Sequence, residues 1–139
     1  MIDSFLSFLF HRRTLIATLL IASTAVILYI TLMPSDKIGS HSLYQYDKAG
    51  HFVLFFGWTF LFGLLMISVK EVNANLILIF IAGSLFGIII ELMQDWLPFG
   101  RSADLHDAIA DILGALAATL VLFVIRRRVP KISLKNSKP

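Results

Sequence analysis

A chain of 139 residues that is 58% hydrophobic and 15% charged, with a mean hydropathy of +0.83, lies far from the roughly half-apolar, quarter-charged balance of soluble domains. This composition excludes a soluble globular protein and leaves an integral membrane protein built as one compact helical unit. Cysteine is absent, which excludes disulfides, thiolate chemistry and cysteine-ligated metals, and the formal net charge of +3 is concentrated in the C-terminal tail, where it points to anionic lipid headgroups rather than nucleic acid.

Residues Met1 to Phe10 place Ile2, Phe5, Leu6 and Leu9 at helical spacing, the pattern of a short helix lying in the membrane interface, with a disordered start as the alternative for residues 1–13. Thr14 to Met33 is an apolar run that at 1.5 Å per residue spans roughly 30 Å, one hydrocarbon core. The basic His11-Arg12-Arg13 resembles the start of a signal peptide. The run that follows is too long for one and lacks a small-residue cleavage site, so an uncleaved first span is predicted. Pro34 and Ser35 stop this helix, and Asp36 to Gly50 reads as a polar loop. The second span is predicted from about His51 to Val69 and the third from Leu76 to about Met93, paired as an antiparallel hairpin through a turn at Lys70 to Asn75. A loop containing Pro98 and Gly100 leads to a fourth span from about Asp107 to Ile125, which the arginines at 126–128 end. Residues 14–125 thus form the membrane domain and 126–139 a basic tail.

The predicted fold is all-α: a polytopic bundle of four transmembrane helices. With both termini on one face, that face holds Arg12, Arg13, Lys70 and the six basic residues from Arg126 to Lys138, nine in all, against Lys37, Lys48 and Arg101 opposite. The positive-inside rule then puts both termini in the cytoplasm and the loops 36–50 and 94–105 outside.

Five of the nine acidic residues fall between Glu91 and Gly114, at the ends of two apolar segments. Ionisable groups in that position are functional candidates by default. Glu91, Gln94 and Asp95 stand at i, i+3 and i+4, and Asp104, Asp107 and Asp111 at i, i+3 and i+7, each set on one helical stripe. Asp47 and His51 are one turn apart if the second helix begins early. Gly83 and Gly87 form a GxxxG that points on to Glu91, and Ala110, Gly114 and Ala118 make a small-residue stripe beside Asp107 and Asp111. Packing of those two surfaces would carry Glu91 against the aspartates.

The expected site holds Asp47, Glu91, Asp104, Asp107 and Asp111 against Lys48 and Arg101, with His51 able to take either charge state. Carboxylates so close together need compensation by a proton, a bound cation or a cationic ligand. The plainer readings are capped helix starts for Asp47, Lys48 and His51, a structural ion pair for Glu91, and an ordinary loop cation for Arg101. Trp58 and Trp96 read as lipid-facing bulk and interfacial anchors. His41 and His106 have no partner on their own helices.

Three groups of residues in order resemble the VanZ-like family of small bacterial membrane proteins: DKAGHF at Asp47 to Phe52, Glu91-x-x-Gln94 ending an apolar helix, and Arg101 followed by Asp104, Asp107 and Gly114. The resemblance covers about Pro34 to Leu120. One position departs: where the family often has Asn four residues after the Asp that begins the fourth helix, this chain has Asp111. The family takes its name from an accessory factor in glycopeptide antibiotic resistance, which implies a place in the bacterial envelope and the cytoplasmic membrane without supplying a reaction.

Two functions follow as expectations. In the first, Arg101 and Lys48 read phosphate or carboxylate on a lipid-linked envelope intermediate or an amphipathic antibiotic, while Glu91, Gln94, Asp104, Asp107 and Asp111 take donors or a cation. In the second, the protein is a hydrolase or transferase of lipid phosphates with His51 or Glu91 as general acid/base and Asp107 as orienter or metal ligand. The sequence requires no cofactor, and oxygen-rich ligands with one histidine suit Mg²⁺ or Mn²⁺ better than a structural Zn²⁺. An ion path is less favoured because no second acidic layer lies deeper in the spans. Membrane lipids are the expected partners, nucleic acid is not, and the sequence is silent on oligomeric state.

Overall fold

A computed structural model describes residues 12–33, 47–98 and 100–128, the side chain of Asp47 excepted. The expectations for the N-terminal segment, most of the loop 36–50, His41 and the tail beyond Arg128 lie outside the described residues. Within them the chain is helical: α1 (Arg13–Thr31), α2 (Asp47–Lys70), α3 (Leu76–Trp96) and α4 (Leu105–Arg126), with one 3₁₀ turn at Glu71–Asn73. All four helices are long and apolar enough to cross a membrane. The four predicted spans are therefore present, and α2 begins four residues earlier than the apolar run alone requires. It takes Asp47, Lys48 and His51 into its first turns.

Local chemistry sets the boundaries. Glu71 adopts a left-handed φ of 51°, which ends the α2 path. Asn75 then caps α3, its side-chain oxygen accepting from the backbone N–H of Ile77 at 3.0 Å and of Leu78 at 3.3 Å. Gly100, at φ 69°, turns the chain between α3 and α4 in a conformation that favours glycine, and Asp104 caps α4 by accepting from the His106 N–H at 2.7 Å. Inside α1 the hydroxyls of Thr18, Ser23, Thr24 and Thr31 donate to carbonyls three or four residues back. In hydrocarbon this satisfies polar groups that no water can reach.

The helices form a bundle in which α2 lies most extensively against α4, with α3 against α4 and α1 against α2 next. The predicted α2–α3 hairpin is the lesser contact. The reason is small residues: Gly114 lets α4 approach so closely that an added Cβ would overlap the Phe52 carbonyl oxygen of α2 and stand 3.0 Å from the Phe56 nitrogen. At one end of the bundle Ile16, Leu64, Ile67, Leu76, Ile79 and Leu122 form an apolar core. There the Arg126 guanidinium donates to the Ala74 carbonyl at 2.7 Å, joining the C-terminus of α4 to the start of α3. Towards the other end Ile27, Phe55 and Ile90 pack with Trp58 and Phe86. The outer surface is apolar, with Ile21, Ile77 and Leu105 among its exposed side chains, as a lipid-facing bundle requires.

Trp58 departs from the expectation of a lipid-facing side chain. Its indole nitrogen donates to Thr24 Oγ1 at 2.8 Å, and its ring lies against Phe62 and Phe86, so it joins α1 to α2 and α3. A helical periodicity in which nearly every position is apolar gives no sign of which aromatic faces inward. Trp96 is 88% exposed, in keeping with an interfacial anchor.

Candidate functional site

The end of the bundle where α1 and α3 finish and α2 and α4 begin gathers most of the polar candidates. The first turns of α2 bring Lys48 and His51, the last turns of α3 bring Glu91 and Gln94, and the start of α4 brings Asp104, Asp107 and Asp111. His51, Glu91, Asp107 and Asp111 are between 0% and 4% exposed. Burial of that degree for four ionisable groups is costly unless they satisfy one another.

His51 is the hub. Its Nδ1 lies 2.9 Å from Asp111 Oδ1 and 3.6 Å from Glu91 Oε1, and its ring stacks along the helix on Phe55. The other Glu91 oxygen, Oε2, accepts from the backbone N–H of Asp104 at 3.0 Å. One carboxylate therefore holds the loop that enters α4 and faces the histidine with its remaining oxygen. Among the described residues Glu91 Oε1 is buried with no hydrogen-bond partner. His51, Glu91 and Asp111 offer ligand atoms that all lie within 4.8 Å of one another.

Outside this buried trio lies a second, more open layer. Lys48 Nζ stands 3.3 Å from Asp107 Oδ1 and 3.4 Å from Asp104 Oδ2. Asp104 Oδ1 also lies 3.1 Å from His106 Nδ1. Asp104 sits outside the helical spans, and the His106 backbone N–H, followed by the His106 ring and Lys48, holds its carboxyl below the ordinary value of 3.8. The exposed Lys48–Asp104 and His106–Asp104 pairs add little stability; their effect is to place charge at the rim, while Lys48 also reaches the buried Asp107.

The small residues work differently from the expected facing stripes. Gly87 does face α4, where a Cβ would stand 2.6 Å from Asp111 Cβ and 2.8 Å from its Oδ2, so its missing side chain makes the space the Asp111 carboxylate occupies. Gly83 faces Thr59 of α2 and Ala115 of α4. Gly114 instead faces α2. Gly87 thus draws α3 onto α4, Gly83 seats α3 against both α2 and α4, and Gly114 draws α2 onto α4, so that His51, Glu91 and Asp111 come together.

Several sequence expectations change. Gln94 is buried, but its amide nitrogen donates to the Thr31 carbonyl at 2.8 Å, closing the end of α1 onto α3. Asp95, read as sharing a face with Glu91 and Gln94, is exposed, because a turn of 3.6 residues carries i+4 past the edge of a narrow buried stripe. Arg101 is half-buried on the loop, and among the described residues it makes no ion pair or hydrogen bond with the cluster. The side chain of Asp47 lies outside the described residues. His106, left aside for want of a partner, pairs with Asp104 two residues away at the helix cap; an aspartate before a helix start is the signal that could have found it.

The sequence model of the VanZ/LLP1 family matches residues 4–126. The chain belongs to the VanZ/LLP1 family. No curated protein and no solved structure matches it. In this VanZ/LLP1 membrane protein, of the residues that carry the family resemblance, Lys48 and His51 on α2, Glu91 and Gln94 on α3, and Asp104 and Asp107 at the start of α4 lie at a single end of the bundle, while Arg101 makes no ion pair or hydrogen bond with them among the described residues. The departing Asp111 lies in direct contact with His51. An amide there would offer a neutral acceptor or donor; the carboxylate of this VanZ/LLP1 chain offers charge.

Chemically, the buried trio can hold a proton, a cation or a donor-bearing group between two carboxylates and an imidazole. A histidine fixed through Nδ1 by a carboxylate is also the arrangement that orients a general base.

Proposed function

We propose that this protein is a multi-pass component of the bacterial cytoplasmic membrane, with both termini in the cytoplasm, that binds the polar head of an amphipathic envelope ligand at the Lys48–His51–Glu91–Asp107–Asp111 end of its bundle. A lipid-linked cell-wall intermediate or an amphipathic antibiotic has the right form, a hydrocarbon portion for the lipid-facing surface and a head rich in hydroxyl and amine donors. A contribution to antibiotic resistance follows from either. The observation that carries this reading is the buried Glu91 Oε1, which has no hydrogen-bond partner among the described residues. A buried acceptor of that kind costs about 1–3 kcal/mol, a cost that a bound donor would offset.

The balance of charge favours donor groups over bare phosphate as the primary contact, because Lys48 is already engaged by Asp104 and Asp107 and Arg101 stands apart. Native mass spectrometry of the protein extracted from bacterial membranes tests this. A discrete lipid-linked adduct on the wild type that disappears in Glu91→Gln, with bulk phospholipid retained, is the expected result. The same adducts on both proteins would overturn it.

The His51–Asp111 pair at 2.9 Å favours one second reading, a hydrolase or transferase of lipid phosphates with His51 as base and Asp111 as its orienter. Release of phosphate from lipid phosphates by the purified protein, abolished in His51→Gln, is what that reading requires; no turnover with any divalent metal would end it.

A further inference from the structure

We infer that His51, Glu91 and Asp111 form a site for one divalent cation of the Mn²⁺ class, which joins α2, α3 and α4. This goes beyond the ligand reading and is tested without any lipid, so the two can fail separately.

Geometry is the first support. Ligands in adjacent positions around a divalent ion at about 2.1 Å lie roughly 3.0 Å apart in an octahedral site and roughly 3.4 Å apart in a tetrahedral one. The 2.9 Å from His51 Nδ1 to Asp111 Oδ1 and the 3.6 Å from His51 Nδ1 to Glu91 Oε1 bracket those spacings, and all three groups lie within 4.8 Å of one another.

The second support is independent of the clustering. Glu91 is buried, its Oε2 is held by the Asp104 N–H, and the fixed Oε1 is aimed at the histidine with no hydrogen-bond partner among the described residues. No described lysine or arginine pairs with Glu91; the nearest fixed cation in this part of the bundle, Lys48, is drawn outward by Asp104 and Asp107. Gly87 completes the cradle, since any side chain there would displace the Asp111 carboxylate.

Donor identity narrows the ion. Two carboxylates and one imidazole suit Mn²⁺ better than Ca²⁺, which prefers oxygen alone, and three protein ligands leave positions open for water or for a ligand oxygen. Binding requires His51 Nδ1 to be unprotonated, so the proton shared with Asp111 leaves as the ion enters.

The test uses the full chain in detergent, free of any histidine tag, titrated with Mn²⁺ alone and read by electron paramagnetic resonance. The expected result is one saturable Mn²⁺ per chain, with coupling to a single imidazole nitrogen in the pulsed spectrum that persists in His106→Gln. Affinity falls at least tenfold in Glu91→Gln and in Asp111→Asn, and stays within twofold in Asp95→Asn, which alters an exposed carboxylate at the same end. Should the buried-site variants fail to fold, the presence or absence of saturable Mn²⁺ with single-nitrogen coupling in the wild type and its persistence in His106→Gln decide the matter. Absence of saturable binding, absence of nitrogen coupling, or affinity unchanged in Glu91→Gln would each overturn the inference.

Discussion

Replacing Gly114 by alanine tests whether close approach of α4 to α2 assembles the buried trio. The added methyl group would overlap the Phe52 carbonyl oxygen and lie 3.0 Å from the Phe56 nitrogen and 3.2 Å from the Phe52 carbonyl carbon. These are backbone atoms, which cannot rotate out of the way, so the helices must part. Overpacking of this kind costs about 1–3 kcal/mol. A separation of up to about 1 Å also forfeits a quarter to a half of the dispersion energy at each contact across the interface. The same movement stretches the 2.9 Å His51–Asp111 contact, a buried charged hydrogen bond worth about 1–3 kcal/mol. Against this stands the gain of about 1 kcal/mol from alanine over glycine within a helix. The net expectation is a loss of about 1–5 kcal/mol. Gly57 provides the control, because a Cβ there meets nothing within 4 Å, and Gly57→Ala is expected to keep only the propensity gain of about 0.5–1 kcal/mol. Denaturation of the purified proteins in mixed micelles, followed by circular dichroism, measures both. If Gly114→Ala is as stable as Gly57→Ala, the close packing of α2 on α4 is not what holds this end together.

Gln94→Leu leaves the Thr31 carbonyl without its 2.8 Å donor; a loss of about 1–3 kcal/mol is expected in the same assay, and Gln94→Glu does not restore it. Trp58→Phe shrinks the packed ring and removes the 2.8 Å bond to Thr24, and of its cost the hydrogen-bond share of about 0.5–1.5 kcal/mol should vanish in a Thr24→Ala background. Asp104, whose carboxyl is held below 3.8 in the fold, contributes stability that is present above its unfolded value and is lost as pH falls through the folded one. The denaturation midpoint of the wild type should therefore drop towards that of Asp104→Asn as pH falls below about 4, and parallel curves for the two would contradict the assignment.

How much of this was legible in the sequence depends on the kind of signal. Span number and place are carried by runs of apolar residues of bilayer length, and those four runs became the four helices. The early start of α2 was readable only as a condition: the apolar run begins at His51, and Asp47 falls one turn before it only if the helix starts early, as it does. Helix pairing was not. Gly83, Gly87 and Gly114 announce close approach without naming the partner, and the choice between α2 and α3 for Gly114 is made by surfaces distant in sequence. Inward and outward could not be told apart for Trp58, since in lipid both faces of a helix are apolar. Glu91 and Asp111 stood out because charge within such runs is costly. What no spacing rule contained was the direct contact of His51 with both of them.

One detail at the entrance to α4 reaches further than local geometry. Glu91 grips the Asp104 backbone with one oxygen while presenting the other to His51, and the two oxygens share a single charge. Whatever draws that charge inward weakens the grip on the loop, and whatever tightens the loop makes the inner oxygen a poorer base. Charge at the inner oxygen and the strength of the Glu91–Asp104 backbone bond are thus linked, so an amide exchange rate at Asp104 would report on events around His51.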